Sequence, residues 1–97
     1  MGDPLMWPID SATDTLVAVE ITSTLVLAAN PKRMDAVFVN DSNKPIYLAR
    51  GNAAVLNEGI LIPVNGRYEI NRNNLFLGAV YAIAEGGAKN LTVSEGI

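Results

Sequence analysis

The chain has no cysteine and no histidine. Without cysteine there is no disulfide staple, no thiolate metal site and no cysteine nucleophile. Without histidine the commonest general base and the commonest metal ligand are missing as well. Charge is also scarce: 18% of the 97 residues are Asp, Glu, Lys or Arg, against roughly a quarter in ordinary soluble domains. The net charge is −3 and the basic residues form no cluster, so a nucleic-acid footprint is not expected. Lys32-Arg33, the one adjacent basic pair, follows Asn30-Pro31 and reads as a solvated turn. No stretch approaches the roughly 20 apolar residues of a membrane helix. The opening residues carry neither a basic start nor a long apolar run, so they do not read as a signal peptide. No membrane partner and no cofactor are expected.

What remains is apolar: 49% of the residues are hydrophobic. A single domain of this length buries roughly two-thirds of its unfolded surface, a thin margin that a partner subunit would widen. So few charges on so small a body leave apolar surface to hide, which favours self-association or docking on something larger.

The stretch from residue 35 to 50 organises the reading. Ala36-Val37-Phe38-Val39 and Ile46-Tyr47-Leu48-Ala49 are rich in strand-forming residues. Between them lies a six-residue turn-forming stretch, residues 40–45, ending in Pro45. This predicts a β-hairpin. Residues 15–29 predict a first strand pair, with Val17, Val19 and Ile21 facing the core. Ile60-Leu61-Ile62 and Arg67-Tyr68-Glu69-Ile70 flank Asn65-Gly66, a signal for a type I′ hairpin. Tyr68 and Ile70 should share one face of that strand, Arg67 and Glu69 the other. Ala79-Val80-Tyr81-Ala82-Ile83-Ala84 and Leu91-Thr92-Val93-Ser94-Glu95 predict two more strands, with a bend at Gly78. Short strands at regular spacing, with no amphipathic helix between them, predict an all-β fold: an antiparallel β-sandwich or jelly-roll-like barrel over residues 15–97.

Residues 1–14 predict an extended N-terminal arm, because Pro4 and Pro8 disfavour helix. Leu5, Met6, Trp7 and Ile9 are too apolar for a solvated tail and are the candidate partner interface; the competing reading folds Trp7 back onto its own sheet. Catalytic equipment is not visible. Glu58, Glu69 and Glu85 fall in separate turns and strands with no spacing that unites them, so no enzyme is expected. Asn40-Asp41-Ser42 and Asn90-Leu91-Thr92 both fit the glycosylation acceptor pattern, but the first reads as turn chemistry and the second as strand entry. Tyr47, Tyr68 and Tyr81 form either an exposed contact patch or ordinary strand packing.

Several runs together resemble a type of small tailed-bacteriophage virion structural protein: Leu27-Ala28-Ala29-Asn30-Pro31-Lys32-Arg33, Val39-Asn40-Asp41-Ser42, Pro45-Ile46-Tyr47-Leu48-Ala49, the Asn65-Gly66 turn, and Asn74-Leu75-Phe76-Leu77-Gly78. The resemblance spans about residues 20–96 and is one of turns and strand faces. It implies a capsid decoration, or cement, protein. Such a protein would sit as a homotrimer or homodimer on the outside of an assembled head and clamp neighbouring subunits of the major capsid protein. Its location would be the virion surface, after host cytoplasm during assembly. Two other readings stay open: a tail, head-fibre or host-contact module, and a small ligand-binding sandwich.

Overall fold

A computed structural model describes residues 9–97. Eight strands run in chain order: β1 (Ala12–Val19), β2 (Thr24–Leu27), β3 (Asp35–Asn40), β4 (Ile46–Arg50), β5 (Ile60–Ile62), β6 (Arg67–Ile70), β7 (Val80–Ala84) and β8 (Lys89–Gly96). They form two antiparallel four-stranded sheets, β1-β8-β3-β6 and β2-β7-β4-β5. Two sheets in this interleaved order make an eight-stranded jelly roll. Residues 12–14, assigned to the arm from sequence, are the first part of β1 and pair with β8.

The core lies between the sheets. Val19, Ala36, Phe38, Ile70, Leu91 and Val93 reach in from the β1 sheet. Val26, Ile46, Leu48, Ile62, Val80, Ala82 and Ala84 meet them from the β2 sheet. Tyr68 packs on the same core, its ring stacked on Phe38 at a centroid distance of 6.2 Å. The expected faces of β6 hold: Ile70 is buried and Tyr68 half-buried, while Arg67 and Glu69 are exposed.

The expected hairpins do not form. β3 and β4 lie in different sheets, as do β5 and β6, and β1 and β2. Of all consecutive strands only β4 and β5 pair. The reason is burial. The inward residues of β3 (Ala36, Phe38) and β4 (Ile46, Leu48) cover one another when the chain crosses between sheets, whereas a hairpin would set them side by side. At Asn65-Gly66 the turn is closed by the Gly66 N–H on the Pro63 carbonyl (2.8 Å), and Asn65 alone of the two takes positive φ (63°). A type I′ hairpin needs it at both. Ile21, expected in the core, is 64% exposed because β1 ends at Val19.

Two buried polar side chains tie the sheets at opposite ends. Arg33, read from sequence as a solvated turn residue, is 1% exposed. Its Nε donates to Glu95 Oε2 (2.7 Å), Nη1 to the carbonyls of Phe76 (2.7 Å) and Gly78 (2.9 Å), and Nη2 to that of Ala28 (2.6 Å). At the other end Asn40 is fully buried, which removes it as a glycan acceptor. Its Nδ2 donates to the carbonyls of Lys44 (2.8 Å), in the β3–β4 crossover, and Ile62 (3.0 Å), on β5. Its Oδ1 accepts from Ser42 Oγ (2.6 Å).

Removing one partner of a buried ion pair strands the other, so Arg33→Ala should lose about 3–5 kcal/mol in urea denaturation. Lysine lacks the planar fork that reaches a carboxylate and three carbonyls together. Arg33→Lys is therefore expected to recover less than half of that loss, and full recovery would show that charge alone holds this end.

Candidate interaction surface

An antiparallel sheet with one face in water normally alternates apolar-in and polar-out. The β2 sheet does not. Its four strands contain one charged residue, Arg50, at the last position of β4. The outward positions are Leu25 on β2, Tyr81 and Ile83 on β7, Tyr47 and Ala49 on β4, and Leu61 on β5. The register arranges them in two cross-strand rows: Leu25–Tyr81–Ala49 and Ile83–Tyr47–Leu61. Leu25 is 50% and Leu61 52% exposed. Ile83 is buried on this face, while Tyr47, Tyr81 and Ala49 are half-buried. The Tyr47 hydroxyl donates to Asn57 Oδ1 (3.0 Å), fixing the ring against the β4–β5 loop. Tyr47 and Tyr81 are diagonal neighbours on adjacent strands, within reach of one another as aromatic side chains.

Two of the three tyrosines weighed from sequence therefore share an outer face, and the third, Tyr68, serves the core. Leu25, Ala49, Leu61 and Ile83 were not anticipated as surface. A signal for them exists: Ile46-Tyr47-Leu48-Ala49 and Val80-Tyr81-Ala82-Ile83-Ala84 are apolar at odd and even positions alike, which makes both faces of the strand apolar.

The outer face of the β1 sheet is of another kind. Asp14, Asp35, Arg67, Glu69, Asn90 and Ser94 stand on it, with Leu16, Val37 and Val39 among them. Ser94 Oγ donates to Asp14 Oδ1 (2.6 Å), and Arg67 lies 3.6 Å from Glu69 in an exposed pair. The concavity beside the β4–β5 loop offers Arg50 and Glu58 among apolar and amide groups. Among the described residues no group of three acidic, His or Cys side chains can hold a metal ion. Glu58, Glu69 and Glu85 remain in separate elements, and Glu69 and Glu85 each face a basic side chain.

Of the expected partner-interface residues, Leu5, Met6 and Trp7 lie outside the described residues. Ile9 is 37% exposed and rests on its own domain, against Gly96. No protein-family model, curated protein or solved structure matches this chain. The likeness to phage virion proteins thus rests on the sequence pattern alone.

If the β2-sheet face is solvent-facing in the isolated domain, polar replacements there should cost little. The double variant Leu25→Lys, Leu61→Lys is expected to change unfolding free energy by no more than about 1 kcal/mol. It should also lower the binding of a hydrophobic dye. A loss of several kcal/mol would place these side chains in a core.

Proposed function

We propose that the chain is a phage virion structural protein that decorates the outside of an assembled capsid and stabilises it by clamping neighbouring major capsid subunits, as a homotrimer or homodimer. The observation that carries this reading is the outer face of the β2 sheet, six outward side chains with no charge among them. Contiguous apolar surface of this kind marks a protein-docking site. The sequence resemblance supplies the kind of partner. The jelly roll, an architecture found in viral capsid proteins, lectins and cupins, adds support by analogy only.

The mechanism is mechanical. A domain that binds a surface present only on the assembled shell stabilises that state by mass action, by about 2.7 kcal/mol per site at a hundred times its dissociation constant. Closing the exposed halves of Leu25 and Leu61 against a partner contributes on the order of 1 kcal/mol each, before the cost of association. The protein would wait in the host cytoplasm and end on the virion surface. A second reading has one observation in its favour: Tyr47 and Tyr81, diagonal neighbours on one outer face, also suit a tail or head-fibre module that touches a host surface.

Sedimentation with phage heads lacking the protein tests the proposal. The wild-type chain should pellet with assembled heads, stay in solution with dissociated major capsid protein, and raise the melting temperature of the heads. Tyr81→Asp should bind at least tenfold more weakly. Equal binding to assembled and dissociated subunits, or no binding to heads, would overturn the reading; binding to tails alone would favour the second.

A further inference from the structure

Each sheet ends in two edge strands, β1 and β6 in one, β2 and β5 in the other. An open edge is a row of unpaired N–H and C=O groups, which proteins guard by shortness, charge, proline or a bulge. Three of the four edges are guarded. β5 has three residues and runs into Pro63. β2 has four, and its register shifts between Leu25 and Leu27. β6 has four, of which Arg67 and Glu69 are charged and exposed. β1 is different. Its eight residues run in unbroken register with β8 and include no proline, no glycine and one charge, Asp14. That carboxylate accepts a bond from Ser94 Oγ of β8 (2.6 Å), on the side away from the open edge.

The ladder to β8 fixes which backbone groups face outward. Ser11 and Ile97 exchange both bonds: the Ser11 N–H donates to the Ile97 carbonyl (3.1 Å) and the Ile97 N–H to the Ser11 carbonyl (2.8 Å). In an antiparallel pair such residues alternate along the strand. Thr13, Thr15, Val17 and Val19 therefore bond to β8, while Ala12, Asp14, Leu16 and Ala18 turn their N–H and C=O groups to the open edge. Among the described residues no strand pairs with that edge. The side chains from Ala12 to Leu16 are exposed as well.

We propose that β1 of a second copy of this chain pairs with this edge, antiparallel about a two-fold axis at Thr15. A second copy brings the same unguarded edge, so one contact satisfies both, and a strand laid antiparallel on itself has the self-complementarity that a two-fold interface requires. The side chains select the register. With Thr15 opposite Thr15 of the second copy, Ala12 meets Ala18 and Asp14 meets Leu16, and every outward N–H and C=O of both strands is bonded. A threonine pair is a favourable cross-strand neighbour. A shift of two residues one way sets Asp14 opposite Asp14, which repels. A shift of two the other way sets Ala12 opposite Glu20, beyond the end of the strand. The axis runs through the joined sheet, so both copies turn their β2-sheet faces to the same side. The pairing stands apart from the capsid role, which rests on the opposite sheet.

The test uses the free protein, with no capsid present. Sedimentation equilibrium should give twice the 10.3 kDa chain mass, falling to the chain mass on dilution. Leu16→Pro removes an N–H that faces the open edge and leaves the ladder to β8 whole. It should weaken the dimer at least tenfold with an unchanged far-UV circular dichroism spectrum. If that variant fails to fold, cross-linking decides. The chain has no cysteine, so one introduced thiol gives an unambiguous disulfide. Thr15→Cys places two thiols across a non-hydrogen-bonded pair, with Cα atoms about 4.5 Å apart, within disulfide reach. It should form a covalent dimer under mild oxidation. Thr13→Cys should not, because the two copies of residue 13 stand four positions, about 13 Å, apart along the strands. A monomer mass up to millimolar concentration, or a trimer mass, would overturn the proposal. A dimer that Leu16→Pro leaves intact, or one that cross-links through residue 13 and not through residue 15, would overturn it as well.

Discussion

The guanidinium of Arg33 is the contact on which one whole end of the sandwich depends. It joins the β2–β3 connection, the loop before β7 and the β8 strand through one carboxylate and three carbonyls. Burying such a charge costs several kcal/mol of desolvation, which only near-complete pairing offsets. The site meets that condition, and among the described residues no buried side-chain nitrogen or oxygen lacks a hydrogen-bond partner. Asn40 does the corresponding work at the far end with a neutral amide. In a fold where all but one of the connections switch sheets, β4–β5 is the one pairing of chain neighbours and the other pairings join strands that are not consecutive. The two polar ties and the apolar core between them fix which strand faces which.

Held this way, the domain presents two unlike outer faces. The β1-sheet face is mixed, with Leu16, Val37 and Val39 standing among Asp14, Asp35, Arg67, Glu69, Asn90 and Ser94. The β2-sheet face is apolar across all four strands. A small domain gains nothing in its own stability from half-exposed leucines and tyrosines on a flat sheet, because that area is not removed from water. The asymmetry makes sense if the β2-sheet face is completed by another body, and the proposed capsid role gives that body an identity and a geometry.

Much of the fold is legible in the sequence. Short runs of strand-forming residues place β3, β4, β6, β7 and β8 within a residue or two, and the lack of any helical period gives the all-β class. What fails is pairing. Asn65-Gly66 is a strong local turn signal, but a turn does not specify whether the chain returns in the same sheet or crosses to the opposite one. That choice is settled by long-range burial of Ile62 and Ile70 on opposing sheets. Arg33 is illegible for a similar reason: its four acceptors are spread from residue 28 to residue 95, and beside Lys32 it looks like an ordinary surface cation. The candidate surface is half legible: the tyrosines stand out as contact candidates, while the unbroken apolar runs of β4 and β7 show strand formation without telling which face stays open.

Tyrosine footprinting tests the central claim most directly, because the three tyrosines occupy three distinct positions. In the free protein, a hydroxyl- or ring-directed reagent should modify Tyr81 and Tyr47 and spare Tyr68, which stacks on Phe38 in the core. In protein bound to intact heads, the account predicts that Tyr81 and Tyr47 become protected together. If both react in the particle at the rate seen in solution, the β2-sheet face is not the surface that meets the shell, and the account is contradicted.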